Sequence, residues 1–266
     1  MNAFIHLRYI LGALFVVPLL PLMYFQGKRI RASVPKLPEA QGDRGSFGEA
    51  FTAGDAVQLV TIGESTIAGV GVSTHEEGFS GTLAKELSTL LSVQIRWRVY
   101  ARSGYTAASV TEKLVPKVEE TPGLIVIGLG GNDAFKLQSP WVWCRDVNKL
   151  IVSLRSRFPN PPIIFCNMPP IKEFPAFTPL IKATIGNLVE LLGEGLEDVV
   201  VRHNNVFYFG EVITLDEWIE RVGVKAERSD FFSDGVHPSK LTYQTWAREV
   251  AVKISGDDAL VEALGL

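Results

Sequence analysis

Two separate segments of the sequence hold residue types that could act together in nucleophilic catalysis. Near the C-terminus, Asp234 precedes His237 by three positions, and a carboxylate at that spacing could hold one nitrogen of the imidazole ring. Far upstream, Ser65 directly follows an apolar, strand-like run. Because a serine hydroxyl is a weak nucleophile until a base takes its proton, an oriented imidazole could activate it. The alternative roles are a helix cap for Ser65 and a turn residue for Asp234.

His237 is the histidine that fits the role of base. The chain has four histidines, and of these only His237 has an acid at a suitable spacing and a proline directly behind it. His6 precedes a long apolar run. His75 and His203 lie in polar stretches, and we expect both of them on the surface.

Two glycine-containing segments between Ser65 and His237 could stabilise negative charge. Segment 130–133 (GGND) follows the most strand-like run of the chain, and the Asn132 amide could donate a hydrogen bond to an oxyanion. Segment 103–105 (SGY) also follows a predicted strand, and its glycine N–H could reach the same oxyanion. Each segment, taken alone, could be a simple turn.

Composition and charge are typical of one globular α/β domain. The chain has 266 residues, of which 47% are apolar and 21% are charged. A net charge of −3 gives no electrostatic reason to expect nucleic-acid binding. The two cysteines, Cys144 and Cys166, belong to no metal-binding motif. Cys166 lies in an apolar run and is predicted to be a buried thiol, with a disulfide as the alternative.

The N-terminal part of the chain differs from the rest. Residues 9–25 form an uncharged apolar run of 17 residues, at the short end of what a bilayer-spanning helix needs. A basic stretch follows, with Lys28, Arg29 and Arg31. We favour an uncleaved membrane anchor over a signal peptide, because no small-residue cleavage site is evident. A buried helix of the globular domain is the third interpretation.

The predicted organisation follows from that anchor. We expect a membrane segment over residues 1–31, a polar linker over 32–54 and one enzyme domain over 55–266. The anchor would be single-pass. Positive charge is heavier on its C-terminal side, which favours the cytoplasmic face for the domain. A periplasmic location is the alternative.

Strand-like and helix-like runs alternate through the remaining sequence. The predicted strands are 57–63, 95–101, 124–130, 163–167 and 206–209, and the predicted helices are 78–91, 107–118, 141–158, 180–192 and 241–254. Such alternation predicts a parallel sheet covered by helices on both faces. Sites in these sheets form at the carboxyl ends of the strands. Ser65, Gly104 and Asn132 each follow a predicted strand, so we expect all three at one edge.

Taken together, these segments resemble the SGNH hydrolases, also called the GDSL esterase/lipase superfamily. That family is named for a serine, a glycine, an asparagine and a histidine that occur in this order. Its Gly-x-Asn-Asp motif is matched by residues 130–133, and its Asp-x-x-His motif by residues 234–237. Its Gly-Asp-Ser motif appears as Gly63-Glu64-Ser65, so a glutamate stands in place of the aspartate. The resemblance covers about residues 56–254.

The resemblance implies a flavodoxin-like α/β/α sandwich with a five-stranded parallel sheet. It also implies a serine esterase that forms an acyl-enzyme, with Ser65 as nucleophile, His237 as base and Asp234 orienting the base. The oxyanion hole would consist of the Ser65 N–H, the Gly104 N–H and the Asn132 side chain. No metal or organic cofactor is implied, and the expected partner is a small acyl ester.

Aromatic residues near the expected site suggest an apolar substrate. Phe135 and Trp141 follow the asparagine motif, and Phe174 and Phe177 lie in an insertion over residues 169–179. They could wall an acyl pocket, although one of Trp141 and Trp143 should instead pack inward. Lipid-like or short-chain esters would fit. The alternatives are a cell-envelope carbohydrate O-acetyl esterase or acetyltransferase, and a membrane-tethered binding module with a degenerate site.

Overall fold

The central sheet of the protein is mostly parallel, with one antiparallel strand at its edge. The computed structural model describes residues 3–49, 56–211, 214–222 and 226–266. Its strands are Arg44–Phe47 (β1), Ala56–Gly63 (β2), Gln94–Ala101 (β3), Leu124–Gly128 (β4), Ile163–Phe165 (β5) and Val206–Tyr208 (β6). The order across the sheet is β1-β3-β2-β4-β5-β6, and only the β1–β3 pair is antiparallel. The predicted five parallel strands are therefore confirmed.

The sixth strand was not expected from the sequence. β1 lies in the segment predicted to be a polar linker and carries the sequence RGSF. It pairs with β3 in register from Arg44 opposite Arg98 to Phe47 opposite Ile95. The predicted boundary between linker and domain, at residues 54 and 55, lies outside the described residues, as do residues 1 and 2 at the start of the predicted anchor.

The strand order determines where a site can form. The five parallel strands follow the flavodoxin-like order, in which the chain moves outward from β2 to β3 and then returns to β4 on the other side of β2. A crevice therefore opens between the carboxyl ends of β2 and β4. Ser65 follows β2 and Asn132 follows β4, so both residues lie at this switch point.

Helices cover both faces of the sheet. They are Ala3–Val16 (α1), Leu20–Ser33 (α2), Phe79–Leu91 (α3), Ala107–Lys113 (α4), Gly131–Phe135 (α5), Pro140–Arg157 (α6), Pro179–Val200 (α7), Leu215–Val222 (α8), Lys240–Ser255 (α9) and Asp258–Ala263 (α10). Short 3-10 turns lie at Val17–Leu19, Val115–Lys117, Ile171–Glu173 and Arg228–Phe231. The predicted helices are all present. α7 continues eight residues beyond its expected end, through the buried Gly193 and Gly195.

Two apolar cores lie on opposite faces of the sheet. Successive residues of a strand point to opposite faces, so β4 contributes Ile125 to one core and Val126 to the other. The first core includes α4, α6 and α7, and the second includes α3 and α9. Trp143 is fully buried in the first core whereas Trp141 is 61% exposed, which confirms that one of the two packs inward. Cys166 is buried as predicted.

One histidine lies in a place that the sequence did not indicate. His75 is buried, although its neighbours are polar and we expected it on the surface. Its N–H donates to the Gln41 carbonyl at 2.9 Å, so the chain around residue 41 covers it. Burial of the ring lowers the pKa of His75, although Asp43 and Glu39 oppose this effect. The surface prediction for His75 is therefore wrong, because a contact distant in sequence decides its burial.

α1, the 3-10 turn and α2 form one continuous helical segment, Ala3–Ser33, of 31 residues. One side carries apolar residues at helical spacing that pack on the first core: Tyr9, Val16, Leu20, Met23 and Ile30. The other sides expose large apolar side chains, including those of Phe4, Leu14, Phe15 and Phe25. The segment is long and apolar enough to cross a bilayer, and a signal sequence has the same properties.

Candidate active site

Ser65 lies in a tight turn at the carboxyl end of β2. The strand ends at Gly63, where any side chain would overlap the Gly128 carbonyl and Ile67, so the close approach of β2 to β4 requires glycine. The chain then turns, and the Val70 N–H donates to the Ser65 carbonyl at 3.1 Å. Ser65 is half-buried. Among the described residues, neither its N–H nor its Oγ has a hydrogen-bond partner, so both remain available to a ligand.

Asp234 and His237 form a hydrogen-bonded pair, as their spacing predicted. The Asp234 Oδ2 atom lies 2.8 Å from His237 Nδ1, and its Oδ1 atom accepts from the N–H groups of Val236 and His237. Burial alone would raise the pKa of Asp234, but the hydrogen bonds from His237 and Val236 outweigh it and lower that pKa. Asp234 is therefore ionised at neutral pH, as an acid that orients an imidazole must be.

The hydrogen bond to Asp234 defines what the imidazole can do. A neutral ring that donates its Nδ1–H to Asp234 keeps the lone pair of Nε2 for a proton. Among the described residues, no group is hydrogen-bonded to Nε2, and no hydrogen bond joins His237 to Ser65. The turns that carry Ser65 and His237 are instead connected through neighbours, since the Tyr243 hydroxyl of α9 donates to the Val70 carbonyl at 2.8 Å.

The Glu64 carboxylate connects the ends of β2 and β4. It accepts from the Gly131 N–H at 2.8 Å and from the Asn132 N–H at 2.9 Å, and only 4% of its surface is exposed. Burial raises the pKa of Glu64 to about 7; these two N–H groups lower it in part and the charge of Asp133 raises it further. The sequence drew attention to Glu64 only as a replacement for aspartate, and its position beside Ser65 was the available signal.

The asparagine motif is fixed to its surroundings on three sides. Besides the bond from its N–H to Glu64, Asn132 donates from Nδ2 to the Tyr105 carbonyl at 3.1 Å, which places it beside the turn that holds Gly104. Asp133 accepts from the Ala107 N–H at the start of α4 at 3.2 Å. The Asn132 side chain also helps to lower the pKa of Glu64, so it interacts with the loops on both sides.

Gly104 lies in an exposed turn with a positive φ of 83°, a conformation that favours glycine. The turn is closed by the Tyr105 N–H, which donates to the Arg102 carbonyl at 3.3 Å. Within the described ranges, the Gly104 N–H has no hydrogen-bond acceptor. The N–H groups of Ser65 and Gly104 are therefore both unused hydrogen-bond donors at the carboxyl edge of the sheet.

Comparison with known proteins identifies the family. The family model described as GDSL-like Lipase/Acylhydrolase matches residues 61–245, which include all of these motifs. The chain belongs to this family. The match leaves out the N-terminal helix, β1 and the start of β2. A comparison with curated protein sequences gives no match.

Solved structures of similar proteins share the fold. TesA is 22% identical, with a TM-score of 0.53 over 74% of this chain and 97% of that one. A family 3 carbohydrate esterase of Clostridium thermocellum is 16% identical, with a TM-score of 0.55 over 79% and 100%. A phospholipase A1 from Streptomyces albidoflavus NA297 is 13% identical, with a TM-score of 0.53 over 74% and 99%. Each of these similarities covers about three quarters of the chain and shows a shared fold.

Three of the four predicted substrate residues of this GDSL-like chain form an aromatic cluster. Phe177 contacts Phe135 edge-on, with ring centroids 5.6 Å apart, and contacts Phe174 at 5.4 Å. Phe174 also contacts Phe232 at 5.4 Å, a residue that sequence analysis did not identify. Phe135 is 42% exposed, so the cluster reaches the surface. We refer to Phe135, Phe174, Phe177 and Phe232 as the aromatic cluster.

Trp141 does not join the aromatic cluster. It lies at the start of α6, where its ring is 6.0 Å from that of His6 in α1. It also lines a cavity of about 290 Å³ between α6 and α7. None of the candidate catalytic residues lines that cavity. The N-terminal helix, not the site, is therefore the neighbour of Trp141.

A small apolar cavity of about 60 Å³ lies next to the candidate catalytic residues. Its lining includes Glu64 and Thr66, which flank Ser65, and Pro238, which follows His237. Its other lining residues include the apolar side chains of Leu129, Met168, Phe174, Leu215, Trp218, Phe232 and Trp246. Phe174 and Phe232 belong to both the cavity and the aromatic cluster, so apolar surface runs continuously from one to the other.

Within the described ranges, no three His, Cys, Asp or Glu side chains are grouped closely enough to hold a metal ion.

The two buried carboxyls make stability depend on pH. Burial raises the pKa of Glu64 from 4.5 to about 7 and that of Asp133 from 3.8 to about 7. Between those values the folded protein holds protons that the unfolded chain has released. The free energy of unfolding should therefore fall as pH rises from about 4 to 7.

We expect Asp133→Asn to weaken this pH dependence. The asparagine carbonyl can still accept from the Ala107 N–H, but it does not titrate. Denaturant unfolding gives the free energy of unfolding at pH 5 and at pH 8. The drop in this free energy between pH 5 and pH 8 should be smaller in the variant than in the wild type by on the order of 1–3 kcal/mol. Asp258→Asn, at an exposed carboxylate of α10, is the control and should follow the wild type. If Asp133→Asn and wild type show the same pH dependence of stability, Asp133 does not have the raised pKa argued above.

Proposed function

We propose that this GDSL-family protein hydrolyses carboxylic esters through an acyl-enzyme on Ser65. One observation carries the proposal. Asn132 donates from its backbone N–H to Glu64 and from its side chain to the Tyr105 carbonyl, so it connects three loops at the carboxyl edge of the sheet, and each loop carries a predicted oxyanion donor. A site with several hydrogen-bond donors on connected loops suits a reaction in which negative charge develops on one oxygen.

In the first step, His237 Nε2 takes the proton from Ser65 Oγ as that oxygen attacks the ester carbonyl carbon. The carbonyl oxygen becomes negatively charged and accepts hydrogen bonds from the N–H groups of Ser65 and Gly104 and from Asn132 Nδ2. Asp234, ionised because its pKa is lowered, stabilises the imidazolium that forms.

In the following steps, the tetrahedral intermediate collapses and the imidazolium gives its proton to the departing alcohol. The acyl group is then bonded to Ser65 Oγ. A water molecule attacks this acyl-enzyme while His237 takes its proton, and the carboxylic acid leaves as Oγ is reprotonated. Every proton in this cycle passes through Nε2, the ring nitrogen that Asp234 leaves free.

We expect Ser65→Ala to fold normally and to lose at least about three orders of magnitude in esterase rate, because no other group would replace the nucleophile. The measurement is hydrolysis of p-nitrophenyl esters, together with labelling by a fluorophosphonate probe. Ser156→Ala, at an exposed position of α6, is the matched control and should keep both properties. Near-normal turnover, or labelling of Ser65→Ala at the wild-type rate, would refute the role of Ser65.

The aromatic cluster and the adjoining apolar cavity favour an ester with an apolar acyl chain. Buried contact with aromatic rings stabilises such a chain by removing it from water. Phe177 links the exposed Phe135 to Phe174, which lines the cavity. The substrate class that fits is therefore an ester of a fatty or other aliphatic acid.

We expect Phe177→Ala to lower kcat/KM for p-nitrophenyl octanoate by about 5–20-fold and for the acetate by less than about 3-fold, because only the longer chain reaches the ring. Phe177→Leu retains apolar volume and should keep most of the octanoate activity. A wild-type enzyme that strongly prefers acetate, or sugar acetates, would contradict this substrate class. That result would favour the carbohydrate O-acetyl esterase alternative.

The N-terminal helix bears on where the protein acts, and we assign it to membrane attachment. Arg8 donates to both carboxylate oxygens of Glu194 in α7, at 2.6 and 2.7 Å. Near the other end, Gln26 accepts from the Thr178 hydroxyl, the cap of α7, at 2.6 Å. Arg8 and Gln26 are separated by about 27 Å of helix, close to the roughly 30 Å of a bilayer core. The helix therefore lies lengthwise along α7.

A helix in this position could not cross a bilayer, because the charged side chains of α7 would enter the hydrocarbon with it. We assign the helix to the membrane interface, parallel to the surface, with its exposed apolar side in the lipid. Lys28, Arg29 and Arg31 at its end would then meet anionic head groups. The single-pass arrangement expected from the sequence is the alternative to this assignment, and the cytoplasmic orientation stays a prediction.

Chemical crosslinking distinguishes the two arrangements. We expect full-length protein with Gln26→Cys and Thr178→Cys to be crosslinked within the chain by a short bis-maleimide reagent in isolated membranes, because the two side chains are in contact. The variants that carry only one of the two substitutions are the controls, and they also report any crosslink to the native Cys144 and Cys166. Membrane-bound protein that does not crosslink would contradict the parallel arrangement and support the bilayer-crossing one. Release of the protein without residues 3–33 would indicate a cleaved signal sequence.

A further inference from the structure

Glu39 lies outside the residues matched by the family model, yet it contacts a loop of the candidate site. Its Oε1 atom accepts from the Ser103 N–H at 2.8 Å, and its Oε2 atom accepts from the Arg102 guanidinium at 3.0 Å. Ser103 directly precedes Gly104, the predicted oxyanion donor. Glu39 belongs to the segment that sequence analysis predicted to be a polar linker.

The two residues after Glu39 contact the chain that follows Ser65. The Ala40 N–H donates to the Ala68 carbonyl at 2.9 Å, and the Gln41 N–H donates to the Ser73 carbonyl at 3.0 Å. Segment 39–41 therefore connects the loop after β2 with the loop after β3. It is hydrogen-bonded to Ser103 in one loop and to Ala68 and Ser73 in the other.

The Gly104 turn depends on such a restraint because it is exposed. Its own closing hydrogen bond, from Tyr105 to Arg102, is long at 3.3 Å. The Asn132 amide restrains the far side of the turn through the Tyr105 carbonyl. The hydrogen bond that the Ser103 N–H donates to Glu39 restrains the near side. Together they limit the directions in which the Gly104 N–H can point.

We propose that Glu39 is a positioning residue for the oxyanion hole. Its carboxylate holds the Ser103 N–H and so aims the neighbouring Gly104 N–H at the carbonyl oxygen of the substrate. The inference rests on the proposed function, because it takes Gly104 as an oxyanion donor. The backbone contact, not the ion pair, carries the effect, because Arg102 is 63% exposed and exposed ion pairs contribute little.

Substitution in the full-length chain tests this role. We expect Glu39→Ala to lower kcat about 10–100-fold with KM within about 3-fold of wild type, since removing an oxyanion donor outright lowers kcat by about 10²–10³. Glu39→Gln should stay within about 3-fold in kcat, because its amide oxygen can still accept from Ser103. Arg102→Ala, which removes only the ion pair, should also stay within about 3-fold.

Glu86→Ala is the control for loss of a surface carboxylate, because Glu86 pairs with Arg248 and contacts none of these loops. Unchanged kcat in Glu39→Ala would overturn the proposal, and so would an equal loss in Glu39→Gln. Hydrogen exchange supplies a readout besides activity, since the amides of residues 102–105 should exchange faster in Glu39→Ala and not in Glu39→Gln. If wild-type protein shows no Ser65-dependent hydrolysis, the proposed function fails. If the amides of residues 102–105 exchange at the wild-type rate in Glu39→Ala, the restraint of this loop by Glu39 is refuted.

Discussion

The hydrogen bonds of the Glu64 carboxylate with Gly131 and Asn132 hold the two halves of the site together. β2 and β4 are neighbours in the sheet, but their hydrogen-bonded ladder ends before the loops that carry Ser65 and Asn132. Beyond that point, Glu64 is the side chain that spans the gap. A buried N–H without an acceptor costs about 1–3 kcal/mol, so the loop is stable in this position only while the carboxylate accepts both. The glutamate, one methylene longer than the family's aspartate, still reaches both N–H groups.

This interaction has an electrostatic cost. The carboxylate is removed from water next to a second buried carboxyl, that of Asp133, and both have a pKa raised to about 7. Perturbed carboxyls of this kind are common at functional sites. Here both carboxyls accept from backbone N–H groups and fix the loop of Asn132. We therefore interpret them as structural supports and assign the proton transfers to His237.

The other loops of the site are joined in the same manner, by a polar side chain that reaches a distant backbone group. Asn132 contacts Tyr105, Tyr243 contacts Val70 and Glu39 contacts Ser103. Exposed loops have few apolar contacts to hold them, so hydrogen bonds of this type determine their mutual position. The N-terminal segment extends this scheme, because it runs along α7 and then passes between two of the loops. Residues outside the family match thus contribute to the geometry of the site.

The sequence by itself determined the features that depend on near neighbours. Apolar runs and helical spacing indicated the parallel strands and the helices that cover them, and strand ends indicated where Ser65, Gly104 and Asn132 would lie. The three-residue spacing of Asp234 and His237 produced the expected hydrogen bond, because a short turn leaves few other geometries.

Tertiary structure decided the rest. β1 has no apolar periodicity and exists only through its pairing with β3. The burial of His75, the entry of Phe232 into the aromatic cluster and the contact of Trp141 with the N-terminal helix all depend on how distant elements pack. Local sequence patterns indicate which face of a segment is apolar. The packing of the whole chain determines what that face contacts and which group each buried polar group binds.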